Sequence, residues 1–109
     1  MPVDLPKPVA DYVSAKDSND PAKIAACFDE DGWVHDEAED IIGRANIQKW
    51  AAATIQKYQF TMTPTAWTPE KDGSGVLSAS VAGNFPGSPV DLDYRMTFKD
   101  GKILRLEIE

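Results

Sequence analysis

Residues 33–50, WVHDEAEDIIGRANIQKW, decide how the rest of the chain is read. Trp33–Asp36 reads as a strand, and Asp40–Ile42 returns as a second short strand across the polar connection Glu37–Glu39. Gly43 ends that strand. A helix follows from about Arg44 to Gln56, because Ile47, Trp50, Ala51, Thr54, Ile55 and Tyr58 recur at helical spacing. Asp36 comes after the apolar Val34 and the chain's one histidine, His35, so its carboxylate is aimed toward a core.

Working toward the N-terminus, Asp31-Gly32 is a turn into the first strand. Ile24, Cys27 and Phe28 form the buried stripe of a short helix, with Asp20 as its N-cap and Pro21 as its first residue. An earlier helix opens on Pro6 and Pro8 and carries Val9, Tyr12, Val13 and Lys16 on one face. Toward the C-terminus the period changes from helical to two. Tyr58, Phe60 and Met62 alternate with polar residues, and Lys71–Gly75 turns the chain. Leu77, Ala79, Val81, Gly83 and Phe85 alternate next, and Pro86–Pro89 turns again. Val90, Leu92, Tyr94, Met96 and Phe98 then share one face, and after Asp100-Gly101 a last strand puts Leu104, Leu106 and Ile108 inward. Three helical segments and a hairpin followed by a four-stranded antiparallel meander is an α+β pattern. The chain has no internal repeat, linker or low-complexity tract, so residues 1–109 are expected to form one domain.

Composition narrows the partners. There are 18 acidic residues against 11 basic ones, a net charge of -7, and no run of Lys or Arg. A phosphate backbone or an anionic membrane surface needs a basic face, so neither nucleic acid nor membrane is expected. Cys27 is alone, which leaves no internal disulfide and suits a reducing compartment. The N-terminus lacks the apolar stretch of a signal peptide, and no apolar run reaches the ~18 residues of a membrane span. A cytoplasmic location is therefore expected. One His and one Cys do not build a usual zinc site, so no metal is expected. Gly73-Ser74-Gly75 is a turn and no dinucleotide fingerprint occurs, so no cofactor is expected either.

The order of elements and several local features resemble the nuclear transport factor 2-like superfamily, in its SnoaL-like branch. These features are Tyr12 in the first helix, Asp20 before the second, Phe28–Asp31 after it, Val34-His35-Asp36 on the strand, Gly43–Ile47 opening the third helix and Phe98–Ile103 at the final hairpin. The resemblance covers nearly the whole chain. It implies a cone-shaped α+β barrel, also called cystatin-like, in which a curved antiparallel sheet packs around three N-terminal helices and leaves a pocket between them. It also implies a homodimer. Within the superfamily, polyketide cyclase-like and ketosteroid isomerase-like proteins are the nearest in pattern, but the same fold hosts binding and dimerisation modules, so function has to come from the site.

By resemblance to the ketosteroid isomerases, Asp36 matches the general base and Tyr12 the oxyanion donor, while Tyr94 stands where those enzymes carry a protonated Asp. Ala51 departs from a supporting Tyr. A carboxylate in an apolar cone has its pKa raised by desolvation, which suits proton abstraction beside a carbonyl. The competing reading makes Asp36 a hairpin-end carboxylate that caps backbone N–H groups, and Tyr12 and Tyr94 core tyrosines with satisfied hydroxyls. Trp50, on the inward stripe of its helix, is expected to line the pocket. Phe28, Phe60, Met62, Trp67 and Phe98 are either pocket wall or ordinary core. Alternation turns His35 outward with Trp33, toward a dimer contact, although SnoaL-like cyclases use a His–Asp neighbourhood and a pocket role stays open. Cys27 reads as a small buried apolar residue. Three functions follow from this pattern: a cofactor-free isomerase, cyclase or dehydratase acting on a small apolar carbonyl compound, a non-catalytic domain binding a small apolar molecule, or a dimerisation module working through its outer sheet face.

Overall fold

The computed structural model describes residues 5–108; residues 1–4 and 109, the ends of the expected domain span, lie outside them. Helices α1 (Lys7–Asp17) and α2 (Pro21–Ala26) precede the hairpin β1 (Phe28–Asp36) and β2 (Glu39–Ile42). Helix α3 (Arg44–Tyr58) leads into β3 (Thr61–Pro69), β4 (Gly75–Ala82), β5 (Val90–Lys99) and β6 (Lys102–Ile108). The strands form one curved sheet in the order β2-β1-β6-β5-β4-β3. All neighbours are antiparallel except β1 and β6, which run parallel and join the first hairpin to the later meander. This is the expected cone-shaped α+β fold. No helix among the described residues is long and apolar enough to cross a membrane.

The core forms where the helical stripes meet the sheet's alternating residues. Val9 and Tyr12 of α1, Ile24 of α2 and Ile47 and Ala51 of α3 are fully buried. They pack with Phe28 and Val34 of β1, Leu77 of β4, Met96 of β5 and Leu106 of β6. Burial alternates without a break along β4, so the period-two reading of Leu77, Ala79 and Val81 holds there. The N-cap of α2 is as expected: the Asp20 carboxylate accepts from the backbone N–H groups of Ala22 (3.0 Å) and Lys23 (3.4 Å). Replacing Asp20 by Ala should therefore lower stability by about 1 kcal/mol in a denaturant melt.

Several boundaries differ from the expected ones. Helix α2 ends at Ala26, so Cys27 is its half-buried cap and Phe28 is the first residue of β1. The strand runs through Asp31-Gly32 with a register shift instead of turning there. Gly32 is needed for close approach: a Cβ at this position would lie 2.9 Å from the Asp29 carbonyl and 3.1 Å from Ile47 Cδ1. The hairpin turn is only Glu37-Ala38, both at positive φ, as a two-residue turn between right-twisted strands requires. Helix α3 continues to Tyr58 and stops because Gln59 adopts the left-handed conformation, its N–H bonding to the Ile55 carbonyl at 2.8 Å. Phe60 is thus in a connection, not a strand. Strand β4 ends at Ala82, and Gly83–Phe85 turn back onto the end of α3, where the Asn84 N–H donates to the Tyr58 carbonyl at 2.7 Å. In β6 the fully buried pair is Ile103 and Leu106, while Leu104 is only half-buried. The β5–β6 register shifts at Thr97–Phe98, opposite residues 103–105, and this breaks the alternation of Leu104, Leu106 and Ile108.

Candidate active site

Asp36 is the last residue of β1 and shares a face with Gly32 and Val34, both buried. The carboxylate therefore points to the helical side of the sheet, and the turn Glu37-Ala38 stops it from going deeper. The inward stripe of α3 passes over it. Trp50 Nε1–H donates to Asp36 Oδ2 at 3.0 Å, and one helical interval of eight residues further on the Tyr58 hydroxyl donates to Glu37 Oε1 at 2.6 Å. Two side chains of α3 thus hold both acids at the end of β1.

Beneath these bonds lies a pocket of about 230 Å³. Trp50, Thr54 and Tyr58 of α3 form one wall and Val90, Leu92 and Tyr94 of β5 another. Phe60 and Phe85, the two residues displaced from their expected strands, close it from the connecting segments. Lys16 of α1 and Asp36 are in the lining as well. The volume is below the ~300–1,000 Å³ usual for drug-sized ligands, so the pocket fits a small compound.

The electrostatics follow from this burial. Burial pushes the Asp36 carboxyl above its ordinary value, and the neighbouring Glu37 adds to the shift. The Trp50 hydrogen bond and the charge of Lys16 oppose it. Lys16 is only 7% exposed. Burial lowers its pKa from 10.5 to about 8, against the pull of Asp36. Its ammonium lies 3.7 Å from the centroid of Phe60 and 5.8 Å from that of Trp50, and no ion pair among the described residues includes it. Burial, together with the Asp36 charge, raises the Tyr94 phenol, which stays a donor at neutral pH.

Among the residues marked in the sequence, Asp36, Tyr94 and Trp50 meet at this pocket. Tyr12 does not line it. Its ring is fully buried, packs against Phe28 (centroids 6.2 Å) and Tyr94 (6.4 Å), and leaves its hydroxyl without a partner. Phe28 and Met62 belong to the core, and Phe98 packs on Trp67 at 6.2 Å. His35 is on the outer face with Trp33. Its Nδ1 lies 2.8 Å from Asp40 Oδ1, which also accepts from Trp33 Nε1 at 2.9 Å. The Cys27 thiol is pushed up by burial and donates to the Lys23 carbonyl. No group of three metal-ligating side chains converges among the described residues.

Lys16 is the pocket residue that sequence reasoning left out. Its signal was present: it falls on the apolar stripe of α1, seven residues after Val9 and four after Tyr12. A lysine in that place reads as a stem reaching along the helix edge to water.

The SnoaL-like domain family matches the chain over residues 9–106. A candidate polyketide cyclase from Sinorhizobium meliloti superposes with a TM-score of 0.91 at 37% identity, covering 96% of this chain and 95% of that one. A protein of ketosteroid isomerase-like fold from Catenulispora acidiphila, solved in complex with trimethylamine, gives a TM-score of 0.84 at 20% identity over 97% of this chain and 86% of that one. A cystatin-fold protein from Novosphingobium aromaticivorans gives 0.76 at 13% identity over 94% of each chain. The last two are similar in fold alone. No curated protein matches the chain in sequence.

Proposed function

The chain belongs to the SnoaL-like domain family, and from that premise we propose that it is an enzyme of the isomerase or cyclase type in which Asp36 moves a proton beside the carbonyl of a small apolar compound. The observation that carries this reading is the Asp36 carboxylate in the wall of an apolar pocket, held by Trp50 and made more basic by burial. A raised carboxylate is a better proton acceptor than an ordinary one. The 37% identical relative from Sinorhizobium meliloti, a candidate polyketide cyclase, supports carbonyl chemistry of this class.

The steps balance within the pocket. Asp36 takes the proton from the carbon next to the carbonyl, and the C–H pair becomes the enolate. Tyr94, whose hydroxyl remains protonated, donates to the oxygen on which charge develops. Return of the proton from Asp36 to a different carbon gives an isomer. Attack of the enolate carbon on a second carbonyl of the same molecule closes a ring, and the proton held by Asp36 passes to the new alkoxide. Removal of a second α-proton by Asp36 and its transfer to the departing hydroxyl releases water and completes a dehydration. Trp50 keeps the carboxylate aimed, and Tyr12 packs behind Tyr94 and holds its ring.

The test is exchange of α-protons of small enolisable ketones in deuterated water, followed by NMR with the wild type and with Asp36→Asn. Ligand that binds without exchanging would leave a binding domain in place of an enzyme. Tyr94→Phe should lower the exchange rate by about 10²–10³-fold, as loss of one oxyanion donor does. An unchanged rate in that variant would remove Tyr94 from the mechanism.

A further inference from the structure

The steps above do not use Lys16, although it is the basic side chain in the lining of a pocket that also carries the acids Asp36 and Glu37. We infer that Lys16 is a covalent amine site: its Nζ adds to the carbonyl carbon of a small apolar aldehyde or ketone seated against Phe60 and Trp50, and the adduct loses water to leave an imine on Lys16. The inference rests on the reading above for the carbonyl nature of the ligand and goes beyond it in the bond it forms.

Three features of the geometry support this. First, Lys16 is part of the pocket lining although only 7% of the residue is exposed, so what remains accessible of it is set in a wall with little bulk water around it. Second, no ion pair among the described residues holds it as an ammonium, and the faces of Phe60 at 3.7 Å and Trp50 at 5.8 Å attract that charge less than burial opposes it. Third, a carboxylate able to hand over protons, Asp36, lines the same pocket. The other titratable groups lining the pocket with Lys16 are Asp36 at the end of β1, Glu37 in the turn after it, Tyr58 on α3 and Tyr94 on β5. Of these, Asp36 acts on its charge and opposes the effect of burial.

The lone pair of the neutral amine forms the C–N bond as the carbonyl π pair moves to oxygen. The nitrogen gives up a proton, and the oxygen gains one, giving a carbinolamine. Asp36, which holds the proton that the Lys16 ammonium gave up before the attack, delivers it to the hydroxyl, which leaves as water while the nitrogen pair forms the C=N bond. The species formed is the iminium, still protonated on nitrogen, and its positive charge makes it a stronger electron sink than the carbonyl, so an adjacent C–H is easier for the ionised Asp36 to deprotonate. Water reverses the sequence and releases the product.

A lysine of pKa about 8 has roughly 200 times the neutral fraction at pH 7 of an ordinary surface lysine near 10.4. The test uses benzaldehyde with sodium cyanoborohydride at pH 7, followed by intact mass and peptide mapping. The reductant delivers hydride to the imine and fixes it as a secondary amine. Lys16 is expected to take up the benzyl group at least about tenfold faster than any of the seven other lysines, which are spread from Lys7 to Lys102. The α-amino group also reacts at this pH and is separated by mapping. Lys16→Met and Lys16→Arg should both lose the fast label, and far-UV circular dichroism shows whether each is folded. Labelling of Lys16 no faster than the exposed lysines overturns the inference. The two proposals fail separately. An adduct on Lys16 together with full proton exchange in Asp36→Asn removes the Asp36 reading alone. Exchange that depends on Asp36, survives in Lys16→Met and comes without an adduct removes the imine alone.

Discussion

Asp36→Asn is expected to lower α-proton exchange by about 10²–10⁴-fold, the range lost with a positioned general base, while the affinity for the ketone changes little. The substitution is isosteric. The amide oxygen of Asn still accepts from Trp50 Nε1–H, so the bond that fixes the side chain against α3 is kept. Only the basic lone pair is removed. Affinity can be read from quenching of the fluorescence of Trp50, which is in the pocket wall. A loss of rate with affinity kept locates the effect in the transition state. If the variant exchanges as fast as the wild type, Asp36 is not the base.

The same carboxylate sets a pH dependence. Its folded-state value lies above the ordinary 3.8. The folded protein therefore holds this proton more tightly than the unfolded chain in the window between the two values. Stability is lost as pH rises through the folded value and regained as pH falls through it. Activity runs the other way, because the base is useful only once ionised. Asp36→Asn should consequently melt slightly higher than the wild type at pH 7, and the gap should close in acid. The carboxyl is only partly buried, so solvent screens the effect and the gain is at most about 1 kcal/mol.

How much of this was legible depends on how local each signal is. The stripe Ile47–Ala51 fixed α3, and Asp20 before Pro21 fixed the start of α2, because a helix face and its cap are encoded within a few residues. Asp36 was legible for the same reason: alternation from Val34 puts it inward. Pocket walls made from distant segments were not. Phe60 reads as a strand residue until Gln59 adopts the left-handed conformation, and Phe85 reads as the end of β4 until the chain folds back on Tyr58. The parallel pairing of β1 with β6 joins residues some seventy positions apart and has no local mark. Phe28, Met62 and Phe98 carry the composition of a pocket wall, but whether an apolar side chain lines a void or fills it is decided by its neighbours across the sheet. Lys16 is the clearest case. Its burial depends on Phe60 and Trp50 covering it, and neither is near it in sequence.

The burial of Lys16 lowers the stability of the fold at neutral pH. At pH 7 the folded chain holds Lys16 mostly as an ammonium in an apolar wall, and burial opposes that charge. Two interactions offset the cost. The ring of Phe60 at 3.7 Å contributes about 0.5–2 kcal/mol, and Asp36 attracts the charge across the pocket without pairing with it. The net direction is still a pKa lowered to about 8, so burial wins. A drop from 10.5 to about 8 corresponds to roughly 3 kcal/mol between the two protonation states. Lys16→Met keeps an unbranched chain against Phe60 and Trp50 and removes the charge. It is expected to raise stability at pH 7 by about 1–3 kcal/mol, or roughly 5–15 °C in melting temperature for a domain of this size. The sign changes with pH in a way that a simple packing gain would not. Between pH 8 and 10.5 the unfolded chain still holds the proton that the folded chain has lost, so the wild type gains stability over this window. The advantage of the variant should shrink accordingly across the window. A variant that melts lower at pH 7, or an advantage that stays constant from pH 7 to 10.5, would mean that the aromatic faces and Asp36 hold the ammonium more tightly than burial opposes it. Lys16 would then be a fixed cation at neutral pH, suited to binding an anionic oxygen and unsuited to forming an imine.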